Sequence, residues 1–425
     1  MKINIPHIHK IEGEAGFWAR VAKSGKVEQL KVQTLLGLRQ IEGILVGRKA
    51  EDAPLVVSRV CGICPVVHIL NACEALEGAL NITVSRTTTL LRKLMLASQI
   101  VQSHTLHVFF MTLADFLDIE NDLDLMKKFP REAKTALKIR DFSLNIIEII
   151  GGRKVHPMTP RVGGFSRLPD KKDIESLLTE LPQLLEEANV LLDTFKNLEY
   201  PIIKRETNFV SVSSNNEYAF YKENSIKIND KSTSVGNFYS NKLKEDLKGT
   251  PVKRVKYEGK PYMLGAIARL KNNNRFLIPS AKRLLEDFIR QQKITENDFF
   301  SNTFYNLFGQ AVEILHFLEV SRNLLREILE SDLKETQKEI KINKGSGLSA
   351  MEAPRGTLFT YLELDSGGRI LNCNLITPTA QFLNNLEEDL KILVPQTLGL
   401  SEKERRRKIR SLIRAYDPCI SCAVH

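Results

Sequence analysis

Cysteine is scarce, at six in 425 residues, so no disulfide framework is implied and the pattern suits a reducing compartment. The amino terminus, Met1-Lys2-Ile3-Asn4-Ile5-Pro6-His7, has no charged region followed by an apolar one, and no signal peptide is visible. Apolar runs long enough to cross a bilayer are missing too. The best candidate, 101–117, is broken by Gln102, Ser103, His104, His107 and Asp115. These absences lead us to expect a cytoplasmic chain with no direct membrane span. Internal repeats and low-complexity segments are absent as well. The net charge of +10 raises the question of nucleic acid, but the basic residues are dispersed. Their one dense run, Lys403-Glu404-Arg405-Arg406-Arg407-Lys408-Ile409-Arg410, carries no stacking aromatic. No nucleic-acid partner is expected; the run reads as a solvated helical face and, after that, as a contact for an acidic partner subunit.

With 43% apolar residues the chain can bury a large core, although its length alone suggests about two or three domains. Against separable domains stand two short motifs at opposite ends. Arg59-Val60-Cys61-Gly62-Ile63-Cys64-Pro65-Val66-Val67-His68 and Asp417-Pro418-Cys419-Ile420-Ser421-Cys422-Ala423-Val424-His425 each place two cysteines at C-x-x-C spacing with a histidine beyond. A tight turn between paired cysteines lets both sulfurs reach one ion, and a second pair completes a set of four. Soft thiolates select nickel, iron, copper(I) or zinc over magnesium or calcium. From the residues alone, a structural zinc site, an iron–sulfur site, two redox dithiols and chance all stay open. Zinc knuckles, however, usually lie within a few dozen residues of each other on a small module that the metal folds.

Taken together, the two motifs resemble the two signature motifs of the large subunit of nickel–iron hydrogenases, complete and in order. Further blocks resemble the family in sequence order: Ile11-Glu12-Gly13, Glu42, Gly151-Gly152-Arg153 with His156-Pro157, Lys260-Pro261-Tyr262 with Arg269, Glu352-Ala353-Pro354-Arg355-Gly356, and Thr377-Pro378-Thr379. The resemblance implies a nickel bound by Cys61, Cys64, Cys419 and Cys422, with Cys64 and Cys422 bridging to an iron that carries carbon monoxide and cyanide. It implies that His68 donates to a bridging sulfur and that Arg355 overhangs the open site, held by Asp417. Pro354, Pro378 and the Thr379 hydroxyl would surround the iron's ligands, and Glu12 would receive the proton from Cys419. Glu42, the Leu375 carbonyl and His425 would form a second, harder site for Mg2+ or Fe2+. Family precursors carry a tail trimmed after metal insertion, so a maturation protease and nickel-insertion proteins are implied partners, and the chain ending at His425 reads as mature. Too few cysteines remain for an electron-carrying cluster. An iron–sulfur small subunit is therefore expected, with further subunits reducing NAD(P), a deazaflavin or a sulfur compound.

The resemblance is closest to the cytoplasmic, cofactor-coupled branch, through Gln102-Ser103-His104-Thr105-Leu106-His107 and Arg414-Ala415-Tyr416-Asp417. There are departures. Lys10 and Glu14 flank the first block where many members have arginine and histidine, and Ser103 stands where many uptake enzymes carry an acid near the arginine. His104 and His107, three apart with no carboxylate at a matching spacing, read as packing or supporting residues. Cys73 and Cys373 read as small buried side chains. Two other functions compete: a metal-free scaffold subunit of a respiratory-type complex, whose kind typically loses the cysteines, and a zinc-stabilised structural protein.

Hydrophobic periodicity predicts helices over 40–48, 69–80, 87–117, 131–150, 171–198 interrupted at Pro182, 280–292, 303–333, 384–393 and 402–416. Hairpins are predicted over 15–22 with 26–35 and over 357–364 with 369–376. The expected fold class is α+β and mainly helical, with a core of long helices, peripheral hairpins and small sheets, and both chain ends converging on a buried metal site. Because the ends must meet, we expect a single interlocked domain over 1–425, with a strand-rich surface excursion at about 205–258.

Overall fold

The longest helices form where apolar residues recur every three or four positions. In this computed structural model, which describes residues 1–119, 121–247, 250–334 and 340–425, four of them build the core: Arg86–Thr105, Pro130–Gly151, Lys171–Lys196 and Asn306–Glu330. The first packs against the second and fourth, and the third packs against the same two, closing a bundle around side chains such as Leu91, Ile147, Leu181 and Phe317.

The single helix expected over 87–117 is three pieces. After Thr105 the backbone widens into a π-helical stretch, Leu106–Thr112, where the Thr112 hydroxyl donates to the carbonyls of His107 (3.2 Å) and Val108 (2.9 Å). A short helix, Asp122–Lys128, capped by the Asn121 side chain, lies between the helices expected over 87–117 and 131–150. The interruption at Pro182 is also corrected. Helix Lys171–Lys196 continues through it, with Pro182 on the exposed face, where carbonyls freed by the missing amide can turn to water.

Sheets are small. The first hairpin, Ala15–Val21 with Val27–Thr34, gains a third antiparallel strand, Lys2–Ile8, whose register shifts between Ile5 and Ile8 around Pro6. The second, Gly356–Leu364 with Ile370–Ile376, is joined by Gly345–Ala353. The stretch expected as a surface excursion, of which 248–249 lie outside the described residues, is partly interior. Its strand Asn208–Ser213 is buried along Phe209–Ser213 and packs on helix Ala266–Asn273. Among the described residues, no helix is long and apolar enough to cross a membrane.

Helix Pro65–Ala79, which follows the first cysteine pair, lies directly on strand Gly345–Ala353. The approach is close enough that a Cβ on Gly347 would sit 1.8 Å from the Ala75 carbonyl oxygen. We expect Gly347→Ala to destabilise the protein by about 3 kcal/mol or more, read by chemical denaturation, because backbone, unlike a flexible side chain, cannot step aside.

Candidate metal centre

The first pair of sulfurs is shaped by a turn into a helix, as expected. Cys61 is extended, Cys64 caps helix Pro65–Ala79, and Pro65 occupies the first helical position, where its missing amide costs nothing. The Ile63 and Cys64 amides both donate to Cys61 Sγ at 3.3 Å. The next amides, Val66 and Val67, donate instead to the Gln99 side chain at 2.6 and 3.2 Å, so a residue the sequence reading passed over fixes this helix start.

The second pair arrives on the segment after helix Glu402–Ala415. Asp417 takes a left-handed conformation (φ 52°) and Pro418 follows, turning Cys419 inward as the cap of a one-turn helix, Ile420–Ala423. Its seat comes from distant parts of the chain. The Cys419 amide donates to Thr379 Oγ1 at 2.9 Å, and the Ile420 amide donates to the Glu12 carbonyl at 2.8 Å. Gly13 (φ +81°) is needed beside it, since a Cβ there would meet the Ser421 amide nitrogen at 2.9 Å. Arg39 clips the two cysteine loops together, donating to the carbonyls of Val60 (2.6 Å) and Ser421.

The outcome is one cluster. The four sulfurs lie within 4.8 Å of one another, all buried, with Cys64–Cys422 at 3.3 Å and Cys61–Cys419 at 3.6 Å. Metal–sulfur bonds of about 2.3 Å put opposite sulfurs of a four-coordinate centre about 4.6 Å apart, so the cage is of the size for one soft ion, with Cys419 and Cys422, 2.8 Å apart, having to separate slightly to bind it. Burial would push the Cys61 thiol up, yet hydrogen bonds from Cys419, Cys422 and Cys64 and the Arg355 charge pull it well below the usual thiol range. Cys419 is likewise lowered, whereas Cys64 and Cys422 are raised. Four crowded thiols cannot all ionise without a cation among them.

Around the sulfurs stand the polar residues named from the sequence. His68 Nε2 is 3.7 Å from Cys422 Sγ, and burial holds this histidine neutral, down to about 3. Arg355 sits at the tip of the turn between Gly345–Ala353 and Gly356–Leu364; its Nε donates to the Asp417 carbonyl (2.7 Å) and its Nη2 pairs with Asp417 Oδ1 (2.8 Å). Arg355 Nη1 is buried with no hydrogen-bond partner among the described residues. Pro354 is part of the same turn, and Pro378 opens helix Pro378–Gln396 beside Thr379.

Sequence reasoning missed what holds that turn. Arg269, fully buried, donates to the carbonyls of Ala353 and Pro354 (2.9 Å each) and pairs with Glu313 (2.6 Å) and Glu352 (2.9 Å). Where Ser103 raised a question about support for Arg355, the answer is Gln310, whose amide donates to Asp417 Oδ2 at 3.2 Å, while the Ser103 hydroxyl has no partner. His104 and His107 are supports, bonded to Glu313 (2.8 Å) and Gln310 (2.6 Å). Cys73 and Cys373 are buried and do not join the four-sulfur cluster.

Glu12 lies beside Cys419 with an intermediary. The Ser421 hydroxyl, an unassigned position of the second motif, is 3.7 Å from Cys419 Sγ and donates to Glu12 Oε1 at 2.8 Å. Burial and the neighbouring Cys419 hold the Glu12 carboxyl above the ordinary carboxylate value, against the Ser421 hydrogen bond and the charges of Arg355 and Arg39.

The harder site needs correcting. Glu42, Leu375 and His425 do converge: His425 Nε2 is 2.9 Å from the Leu375 oxygen and 3.7 Å from Glu42 Oε1. But the ammonium of Lys253 is bonded to Glu42 Oε1 (2.6 Å) and the Leu375 oxygen (3.1 Å), and so engages two of the three groups that would hold a divalent ion. As arranged, this site does not fit Mg2+ or Fe2+.

Comparison with known proteins agrees with the cage. The family model described as nickel-dependent hydrogenase matches residues 39–134 and 196–425. Sulfhydrogenase 1 subunit alpha of Pyrococcus furiosus is 31% identical, over 100% of this chain and 98% of its own. Sulfhydrogenase 2 subunit alpha of the same organism is 29% identical, over 100% and 99%. Among solved structures, an NAD+-reducing [NiFe]-hydrogenase in the H2-reduced state superposes with a TM-score of 0.88 at 25% identity, covering 100% of this chain and 99% of that one. With these matches spanning the chain and all four sulfurs gathered, the metal-free scaffold and the zinc-stabilised protein fall away. The chain belongs to the nickel-dependent hydrogenases, as their large, catalytic subunit.

Proposed function

We propose that this chain holds a nickel–iron centre on Cys61, Cys64, Cys419 and Cys422 and interconverts molecular hydrogen with protons and electrons. The observation that carries the reading is the buried four-sulfur cage, drawn from both ends of the chain. When bound, the metal pair supplies a Lewis-acidic open site at which hydrogen is split heterolytically. In this reading Cys61 and Cys419 would hold nickel alone, and Cys64 and Cys422 would hold nickel and iron together, with His68 beside Cys422. Carbon monoxide and cyanide on the iron are supported by the unpartnered Arg355 Nη1 and by Thr379, whose hydroxyl oxygen is taken by the Cys419 amide and whose hydrogen remains to donate. Pro354 and Pro378 wall this side. Asp417 orients Arg355 through two contacts, which fixes the plane of its guanidinium.

The chain's own part in the reaction is moving a proton. Cys419 Sγ accepts it, the Ser421 hydroxyl passes it on, and Glu12 Oε1 receives it. Electrons leave through an iron–sulfur small subunit, because Cys73 and Cys373 are the only cysteines left and they stand apart from each other on different elements. Further subunits that reduce a sulfur compound or NAD(P) fit the names of the sulfhydrogenase and NAD+-reducing relatives; a deazaflavin as the alternative acceptor and a cytoplasmic location complete the proposal. Nickel-insertion proteins load the centre, a maturation protease acts after metal insertion, and the whole chain acts as a single interlocked domain.

Metal analysis and infrared spectroscopy of the purified complex test this reading. We expect one nickel per chain, together with bands from carbon monoxide and cyanide. Zinc alone, or nickel without those bands, would overturn it.

A further inference from the structure

We propose that the Lys253 ammonium is a built-in cation that replaces a divalent metal ion beneath His425 and secures the segment carrying Cys422. Three acceptors surround its three hydrogens: Glu42 Oε1 at 2.6 Å, Asn374 Oδ1 at 2.5 Å and the Leu375 carbonyl at 3.1 Å. A second carboxylate, Glu245 Oε2, stands 3.5 Å away, and the Lys253 side chain is 11% exposed. Asn374 is oriented for this contact, since its amide donates to the Tyr239 hydroxyl (2.8 Å) and to Glu245 Oε1 (2.9 Å). This is a formed cation site, with the occupant supplied by the chain.

A divalent ion would have to displace that occupant. Hard ions bind carboxylate and carbonyl oxygens at about 2.1 Å. An ion bonded to Glu42 Oε1 and the Leu375 oxygen would crowd an ammonium already bonded to both, in a mostly buried place where like charges are poorly screened. His425 is committed elsewhere as well: its Nδ1 lies 2.5 Å from the Cys422 oxygen and its Nε2 lies 2.9 Å from the Leu375 oxygen, so each ring nitrogen faces a carbonyl. The ammonium fixes Leu375 and Glu42, and the His425 ring lies between the Leu375 and Cys422 carbonyls, donating to one of them when neutral and to both as an imidazolium. Lys253 is therefore a positioning residue for one cage sulfur, acting from 169 positions away in the sequence.

The test uses the purified holoenzyme complex and reads metal content and thermal unfolding, so its outcome is independent of whether hydrogen is the substrate. After extensive dialysis we expect magnesium well below one per chain, and a melting temperature unchanged by EDTA, Mg2+ or, under anaerobic conditions, Fe2+. Lys253→Met, which leaves the two carboxylates facing each other, lowers the melting temperature by about 3 °C or more, and millimolar Mg2+ restores it. Lys253→Arg, which keeps a positive charge, stays indifferent to Mg2+ and covers the case in which Lys253→Met does not fold. One tightly held magnesium per wild-type chain, melting that falls on chelation, or a Lys253→Met protein that melts like wild type with or without Mg2+ would each overturn the proposal.

Discussion

Glu12→Gln lowers hydrogen turnover by about 10²–10⁴-fold, the usual worth of a positioned proton acceptor, while the nickel content stays at the wild-type level. The substitution is nearly isosteric. The glutamine oxygen still accepts the Ser421 hydroxyl, and the Glu12 backbone carbonyl still holds the Ile420 amide, so the cage keeps its shape. Only the ability to take a proton is lost. Ser421→Ala separates relay from acceptor: it breaks the route between Cys419 Sγ and Glu12 but leaves both ends, so we expect a smaller loss than for Glu12→Gln. Hydrogen-uptake rates normalised to nickel decide the matter. Full activity in Glu12→Gln would remove Glu12 from the route, and full activity in Ser421→Ala would mean that the proton bypasses the hydroxyl.

Arg269→Met, by contrast, costs about 3–5 kcal/mol of stability, through charge and not through volume. The methionine fills much of the same space. Left behind, however, are Glu313 and Glu352, both fully buried, with their shared cation gone. Tyr218 (2.6 Å) and His104 (2.8 Å) still hydrogen-bond Glu313, so the damage falls short of an isolated buried charge. The carbonyls of Ala353 and Pro354 lose their donor as well, and the turn carrying Arg355 loosens. Denaturation measures the first effect. Turnover per nickel in whatever protein folds measures the second, and it falls too. A variant as stable as wild type would show that the two acids are accommodated without the guanidinium.

Much of this molecule could be read from its residues because the informative features are local or periodic. The hairpin over 15–22 and 26–35 reads as two β-like stretches joined at Ser24-Gly25, and it formed as strands Ala15–Val21 and Val27–Thr34. The two cysteine motifs state their own turns. Strand Lys2–Ile8 was missed because Pro6 interrupts a short alternating run, and only pairing with Ala15–Val21 rescues it. The π-helical stretch after Thr105 leaves no trace in apolar spacing, since one widened turn shifts the period by less than a short window resolves. In the centre, family likeness pointed to the ligands, to His68 and to the hold of Asp417 on Arg355, but gave no role to the residues behind them. Ser421 occupies a position of the second motif to which no role was attached. Gln99, Gln310, Arg269 and Lys253 work through partners 32 to 211 residues distant, a relation that nothing in the order of the chain records. Lys253 went further and reversed an expectation: likeness suggested a metal, and the side chain in place supplies the charge itself.

The two halves of the sulfur cage differ in how they are anchored. Cys61 and Cys64 are continuous with a helix in the protein's interior, whereas Cys419 and Cys422 ride on a few residues past Pro418, fastened by Thr379, Glu12, Arg39 and Leu375 at scattered points. Releasing those few fastenings would swing half the cage outward like a latch and leave the helical body standing.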